Sequence, residues 1–110
     1  MSDLAAMKCV PCQGGVPPLA RERVSELLGQ LSGWGVEKNH HLVRSFPFPD
    51  FVTALAFVNK VGALAEEQGH HPDIYLSWGM VRITTWTHKI DGLTESDFIL
   101  AAKIDRLAAS

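Results

Sequence analysis

The chain has 110 residues, of which 46 % are hydrophobic and 20 % are charged, and its formal net charge is −2. This length and composition predict one globular domain and exclude a largely disordered chain. They also argue against a dominant phosphate-binding surface, and no apolar run approaches the roughly 20 residues that a membrane-spanning helix needs. The five histidines stand out, because four of them form two adjacent pairs.

Residues 1–17 are predicted to form a flexible N-terminal arm, and residues 18–110 a single domain. Because the start of the chain lacks the basic and then apolar pattern of a secretory signal, we expect a cytoplasmic protein with reduced thiols. The arm contains a Cys9-x-x-Cys12 pair. A structural zinc site would need a second pair of ligands, so an incidental pair is favoured over a metal or redox role.

A helix and two strands are predicted first. Apolar residues recur at helical spacing between about residues 18 and 31; they are Val24, Leu27, Leu28 and Leu31. The helix is expected to be poorly capped, since Leu19-Ala20 offers no capping side chain. Residues 34–38 and 41–48 then have the pattern of two short strands. His40 and His41 lie where the two strands meet, and we expect them to be solvated.

The second helix is predicted to begin after Asp50, a suitable N-cap, and to end at Gly69, which suits a left-handed C-terminal cap. We expect this helix to be the most deeply packed element. Its predicted apolar row contains Phe51, Leu55, Val58 and Ala65, and it is widened by Ala54, Val61 and Leu64.

Residues 73–78 and 81–88 are predicted to form a hairpin around a Gly79-Met80 loop, which suits a type II′ turn. The register places His71 opposite His88, with Cβ atoms roughly 5 Å apart. The expected helix-covered face contains Ile74, Leu76, Trp78, Val81, Ile83 and Thr85. A last helix is predicted to start at Thr94.

His70, His71 and His88 are candidates for proton transfer, because the unperturbed pKa of histidine, ~6.5, lies near working pH. Glu66, one helical turn before His70, is placed to orient an imidazole or to bind a substrate N–H. Asp97 heads an apolar row and therefore needs a polar partner. Less specific interpretations stay open: a solvated Glu66, a capping box that Asp97 closes with Thr94, and a simple polar turn at residues 70–72. A zinc site at these histidines is disfavoured, because adjacent side chains diverge.

The run Glu66-Glu67-Gln68-Gly69-His70-His71-Pro72, followed by Trp78, Thr87-His88 and Asp97, resembles the pterin-4a-carbinolamine dehydratase family. The family pattern is an acidic residue, three spacers, His-His-Pro, an aromatic residue, a Thr/Ser-His pair and an aspartate. The resemblance covers about residues 31–107. It implies an α+β fold in which a four-stranded antiparallel sheet carries three helices on one face, in the order α-β-β-α-β-β-α.

The resemblance implies dehydration of 4a-hydroxytetrahydropterin to quinonoid dihydropterin, which recycles the cofactor of aromatic amino acid hydroxylases. It implies that His70, His71 and His88 are catalytic, with His70 and His88 as the acid/base pair. The implied substrate-binding residues are Glu66, Pro72, Trp78, Thr87 and Asp97.

The resemblance also implies a homodimer or homotetramer that needs no metal or other cofactor, since the pterin is the substrate. A functional link to an aromatic amino acid hydroxylase is expected, and binding to nucleic acid or to a membrane is not. The alternative is an interaction module, because animal members also act as a dimerisation cofactor of a homeodomain transcription factor. The intact histidine pattern favours the enzyme.

Overall fold

The computed structural model describes residues 4–7, 9 and 17–109, so that Cys12 lies outside the described residues. A short 3₁₀ helix, Leu4–Ala6, comes first. The main elements are α1 (Arg21–Leu28), β1 (Gly35–Glu37), β2 (His41–Pro47), α2 (Phe51–Gln68), β3 (Asp73–Ser77), β4 (Met80–Thr85) and α3 (Glu95–Ala109). This is the α+β order that the sequence predicted.

The four strands form one antiparallel sheet in the order β1-β2-β4-β3, so β2 and β4 are central. One face of β4 is fully buried through Val81, Ile83 and Thr85. Tyr75 and Arg82, a directly opposed pair on the other face, are exposed. An antiparallel sheet that carries helices on one face only has this alternation.

The predicted hairpin register is wrong by two residues. Ser77 pairs with Met80, and Asp73 pairs with Thr84, so the turn is Trp78-Gly79. The neighbouring strand explains the shift, because Pro47 at the end of β2 pairs with Met80 and Phe48 N–H donates to Gly79 O at 2.9 Å. A shift of two residues keeps every side chain on its face. The predicted faces are therefore correct for β3 and β4, except that Trp78 lies in the turn.

α3, rather than α2, is the most deeply packed helix. It contacts α1, α2, β2 and the 3₁₀ helix. Its buried residues include Phe98, Leu100, Ala101 and Ile104. The buried stripe of α2 consists of Ala54, Phe57, Val61 and Ala65, whereas Phe51 and Leu55 of the predicted row are exposed. α2 thus covers the sheet with one narrow stripe only.

The ends of α2 are capped as predicted. The Asp50 carboxylate accepts from Thr53 N–H at 2.9 Å, and Gly69 adopts the left-handed conformation with φ 66°. α1 has no side-chain cap at Ala20, again as predicted. No described helix is long and apolar enough to cross a membrane.

Candidate active site

The bend between α2 and β3 presents His70 to a buried carboxylate. Gly69 reverses the chain in the left-handed region, and His70 N–H donates to Ala65 O at 3.2 Å, which closes the helix end. His70 Nε2 then lies 2.6 Å from Asp97 Oδ1. Asp97 stands on the first turn of α3. Its side chain is fully buried, and that of His70 is 11 % exposed.

Hydrogen-bond donors surround the Asp97 carboxylate. Oδ1 accepts from Thr85 Oγ1 at 2.8 Å, while Oδ2 accepts from Thr87 Oγ1 at 2.9 Å and from Thr94 N–H at 3.0 Å. Because an ionised carboxylate only accepts, Nε2 of His70 carries the hydrogen of the fourth bond. Nδ1 of His70 has no hydrogen-bond partner among the described residues, so it is the ring nitrogen that this network leaves free.

The structure confirms part of the prediction that Asp97 closes a capping box with Thr94. Its carboxylate reaches back to Thr94 N–H, as in a capping box. The Thr94 hydroxyl, however, lies 2.9 Å from Thr87 Oγ1. Since Thr87 gives its own hydrogen to Asp97, Thr94 must donate to Thr87. The same carboxylate therefore starts α3 and anchors His70.

His71 and Glu66 form a second pair on the surface. His71 Nε2 lies 2.6 Å from Glu66 Oε2, as close as the buried pair, but the two side chains are 60 % and 80 % exposed. This bond is of the kind that the sequence suggested, in which a carboxylate orients an imidazole. The half-buried Pro72 separates His71 from the start of β3.

His88 follows β4 and has a partner that the sequence did not predict. Its ring packs on Trp86, with centroids 4.5 Å apart. The predicted pairing of His88 with His71 is wrong, because β4 ends at Thr85 and β3 pairs in the shifted register. Thr87, next to His88, bonds to the carboxylate that holds His70. Because Asp97 bonds to both Thr87 and His70, it connects the segment that carries His88 with His70.

Trp78 and Thr87 differ sharply in their surroundings. Trp78 is 71 % exposed in the β3–β4 turn. Six residue steps along the extended β3 segment separate it from Pro72 by about 20 Å. Thr87 is buried, and its hydroxyl is engaged by Asp97 and Thr94.

Cys9 lies beside the two helix ends that carry the site. Its N–H donates to Gln68 Oε1 at 3.0 Å, and its Sγ–H donates to Ser96 O at 3.4 Å. Burial, opposed by nearby Lys103, raises the pKa of the Cys9 thiol to about 11. A thiol with this pKa is a poor nucleophile and a poor metal ligand at neutral pH. Within the described residues, no three His, Cys, Asp or Glu side chains are placed to hold a metal ion.

Sequence reasoning missed the role of Thr85 and the contacts of Trp86 with His40 and His41. The sequence placed Thr85 on the buried face among apolar neighbours. Because a buried hydroxyl needs a hydrogen-bond partner, this placement was the signal that could have identified it. Trp86 has no comparable signal, because its role depends on contacts with a distant turn. His40 and His41 were expected to be solvated, but they are only partly exposed and contact Trp86.

Comparisons with known proteins identify one family for this chain. A family model for pterin 4 alpha carbinolamine dehydratase matches residues 17–107. A protein of Rubrobacter xylanophilus with the provisional name pterin-4-alpha-carbinolamine dehydratase is 64 % identical over 107 residues, which cover 97 % of this chain and 100 % of the relative. A Rickettsia bellii protein with the same provisional name is 54 % identical over 106 residues, which cover 96 % and 94 % of the two chains.

Two solved structures have a similar fold. A transcriptional coactivator/pterin dehydratase from Brucella melitensis matches with a TM-score of 0.78 and 34 % identity, over 83 % of this chain and 98 % of that one. A pterin dehydratase-like protein described as a RuBisCO assembly factor in the alpha-carboxysome matches with a TM-score of 0.62 and 31 % identity, over 72 % and 93 %. The roles named for these neighbours differ, so function must be argued from the site.

Proposed function

The chain belongs to the pterin-4-alpha-carbinolamine dehydratase family, and we propose that it dehydrates 4a-hydroxytetrahydropterin to quinonoid dihydropterin by histidine acid/base catalysis. The observation that carries this proposal is the short bond between His70 and the buried Asp97. That bond fixes the plane of one imidazole and leaves its other nitrogen open, as general acid/base catalysis requires.

The reaction needs two proton transfers. An acid protonates the hydroxyl at C4a while the C4a–O bond breaks, and the hydroxyl leaves as water. The electron pair of N5 forms the C4a=N5 double bond, and a base takes the proton from N5. Proton transfer by a positioned side chain contributes roughly 10²–10⁴-fold. Two imidazoles on either side of the pterin are sufficient for both steps.

We assign the transfers to His70 and His88, and the binding of the pterin to His71. His70 is the rigid member of the pair, since Asp97 holds it. His71 bonds to the exposed Glu66, so the pair presents both a donor and an acceptor to polar groups of a pterin. No step requires a metal or a second cofactor, and we expect activity to survive chelation.

The test is a dehydratase assay in which an aromatic amino acid hydroxylase generates the 4a-carbinolamine in situ. We expect purified protein to accelerate the appearance of quinonoid dihydropterin over the buffer rate. His70→Ala and His88→Ala are each expected to lose about 10²–10⁴-fold of the acceleration, while circular dichroism shows a folded chain. Absence of acceleration by the wild type refutes the proposed reaction, and full activity of both variants refutes the mechanism.

An interaction role is the second candidate, and exposed apolar side chains favour it. Phe51, Val52 and Leu55 are exposed on the first turns of α2, and such clusters commonly mark protein interfaces. We propose that this surface serves self-association as a homodimer or homotetramer. Light scattering on the wild type and on Val52→Glu tests this: a smaller mass is expected for the variant, and equal masses would contradict it.

A further inference from the structure

The two histidines outside the family pattern are part of a cluster around Trp86. The Trp86 ring lies 5.5 Å from the ring of His40 and 5.9 Å from that of His41, measured between centroids. The same ring lies 4.5 Å from His88. Trp86 is half-buried and also packs against the hydrophobic core. It therefore stands between the turn that follows β1 and a proposed acid/base residue.

A chain of hydrogen bonds fixes the two histidines against Trp86. His40 Nε2 lies 2.8 Å from Asp91 Oδ1, and His41 Nε2 lies 3.1 Å from Glu37 Oε1. The two Nδ1 atoms are 3.1 Å apart, so one of them carries a hydrogen and the other accepts it. Asp91 lies three residues after His88. The chain thus joins the β1–β2 turn to the loop that carries His88.

The left-handed backbone conformations of the described non-glycine residues occur at the same place. In the described part of the chain, the non-glycine residues with positive φ are Lys38 at 54°, Asn39 at 52° and Asp91 at 56°. Lys38 and Asn39 form the turn that presents His40, and Asp91 accepts its hydrogen bond. Such conformations are uncommon for non-glycine residues and are often found where geometry serves function. Two turns at once therefore hold this cluster in place.

His88 needs such support, because it is exposed and lies beyond the end of β4. Its side chain makes no hydrogen bond to the described residues, and its ring packs on Trp86 with centroids 4.5 Å apart, a contact that restricts it. An unrestricted side chain samples several rotamers, and a proton donor or acceptor that is misplaced by an ångström can lose about 100-fold in rate. A rigid ring beside His88 would prevent that loss.

We propose that Trp86, backed by His40, is a positioning residue that holds the imidazole of His88 in its productive orientation. This inference rests on the proposed acid/base role of His88. Trp86 acts through His88 and not by binding the pterin. Its removal should therefore lower kcat and leave KM nearly unchanged.

The first measurement is a double-mutant cycle with Trp86→Leu and His88→Ala. Alone, Trp86→Leu is expected to lower kcat about 10- to 100-fold, and Trp86→Phe, which keeps an aromatic face, should recover most of it. In the His88→Ala background, Trp86→Leu should cause no further loss. Equal effects in both backgrounds, or a rise in KM without a change in kcat, would overturn the proposal.

The second measurement does not depend on activity. The imidazole C–H resonances of His88 should be displaced by the ring current of Trp86 and should move to random-coil values in Trp86→Leu. His40→Ala should produce a partial shift in the same direction. Tyr75→Leu, an aromatic loss at a separate place on the sheet, should leave them unmoved. Unchanged His88 resonances in Trp86→Leu refute the positioning role, whereas an inactive wild type with the expected shifts refutes only the proposed reaction.

Discussion

Two histidine–carboxylate pairs involve consecutive residues, His70 and His71, and they have the same separation and different surroundings. His70 and Asp97 are 2.6 Å apart and almost fully enclosed, and His71 and Glu66 are also 2.6 Å apart but mostly exposed. The comparison shows that the distance between nitrogen and oxygen does not by itself determine how much a pair contributes to the stability of the fold. Water competes strongly for both partners of the exposed pair, and much less for the buried pair, whose carboxylate is fully enclosed.

The buried pair is also the better connected one. Asp97 accepts three further hydrogen bonds, from Thr85, Thr87 and Thr94, so the loss of its charge disturbs four donors together. Burial makes each unmatched donor costly. We infer that the buried pair, His70 and Asp97, fixes both the local structure and the orientation of the imidazole. The exposed pair, His71 and Glu66, can adjust to a ligand.

The largest expected effect comes from Asp97→Asn. This change places an amide N–H₂ among groups that are themselves donors, and breaking a buried pair of this kind costs about 3–5 kcal/mol in the free energy of unfolding. Urea denaturation followed by tryptophan fluorescence measures it. The kcat should also fall by at least about 100-fold, since His70 loses its orientation. A stability loss below about 1 kcal/mol would show that the hydrogen-bond network is not stabilising.

The next effect concerns the half-buried Cys9, which bonds to Gln68 and Ser96 beside the site. With its pKa raised from 9.0 to about 11, its thiolate fraction at neutral pH is about 100-fold below that of a free thiol. In a Cys12→Ser variant, iodoacetamide should therefore modify folded protein about 100-fold more slowly than urea-unfolded protein. The rate should rise with pH until the pH approaches 11. Equal rates in both states would contradict the assigned burial.

A proton-linked change in stability follows from the same shift. The folded state holds the Cys9 proton more tightly than the unfolded chain, so between pH 9 and about pH 11 the unfolded state binds fewer protons. Stability then falls as pH rises through this window. Below pH 9 both states are protonated, and this residue should contribute no pH dependence.

A smaller effect is expected at Gly69, which precedes His70 and His71 in the bend between α2 and β3. A Cβ atom at this position would meet no heavy atom within 4 Å, but φ is +66°. Gly69→Ala should therefore cost only the left-handed backbone penalty, about 1–2 kcal/mol. Gly69→Asn is the matched control, because asparagine tolerates this region, and it should lose less. Thermal unfolding compares them, and an equal loss would indicate a steric cause instead.

The sequence was informative where one local signal decides the structure. Asp50 and Gly69 predicted both ends of α2, and the alternation of Val81, Ile83 and Thr85 predicted the buried face of β4. The family pattern brought His70 and Asp97 into one candidate site, although only the structure shows that they are bonded. These features depend on nearby residues or on a motif with fixed spacing.

Predictions from the sequence were wrong where residues distant along the chain determine the local structure. The turn at Trp78-Gly79 is set by the end of β2, whose Pro47 pairs with Met80, and a shift of two residues leaves the hydrophobic pattern unchanged. His40 is likewise positioned by a hydrogen bond to Asp91 and a ring contact with Trp86. Both residues are far from it along the chain. Periodicity within one segment carries no information about such partners.

The smallest expected effect is that of Glu66→Gln, which is the same chemical change as Asp97→Asn at the exposed pair. The new amide would keep an acceptor for His71, and exposed ion pairs contribute only about 0–1 kcal/mol. The free energy of unfolding should therefore change by less than about 1 kcal/mol, and less still at high salt, which screens the pair. Kinetically, we expect a change in KM rather than in kcat, because His71 is assigned to binding. If Glu66→Gln destabilised the protein as much as Asp97→Asn, burial would not be the property that separates the two pairs.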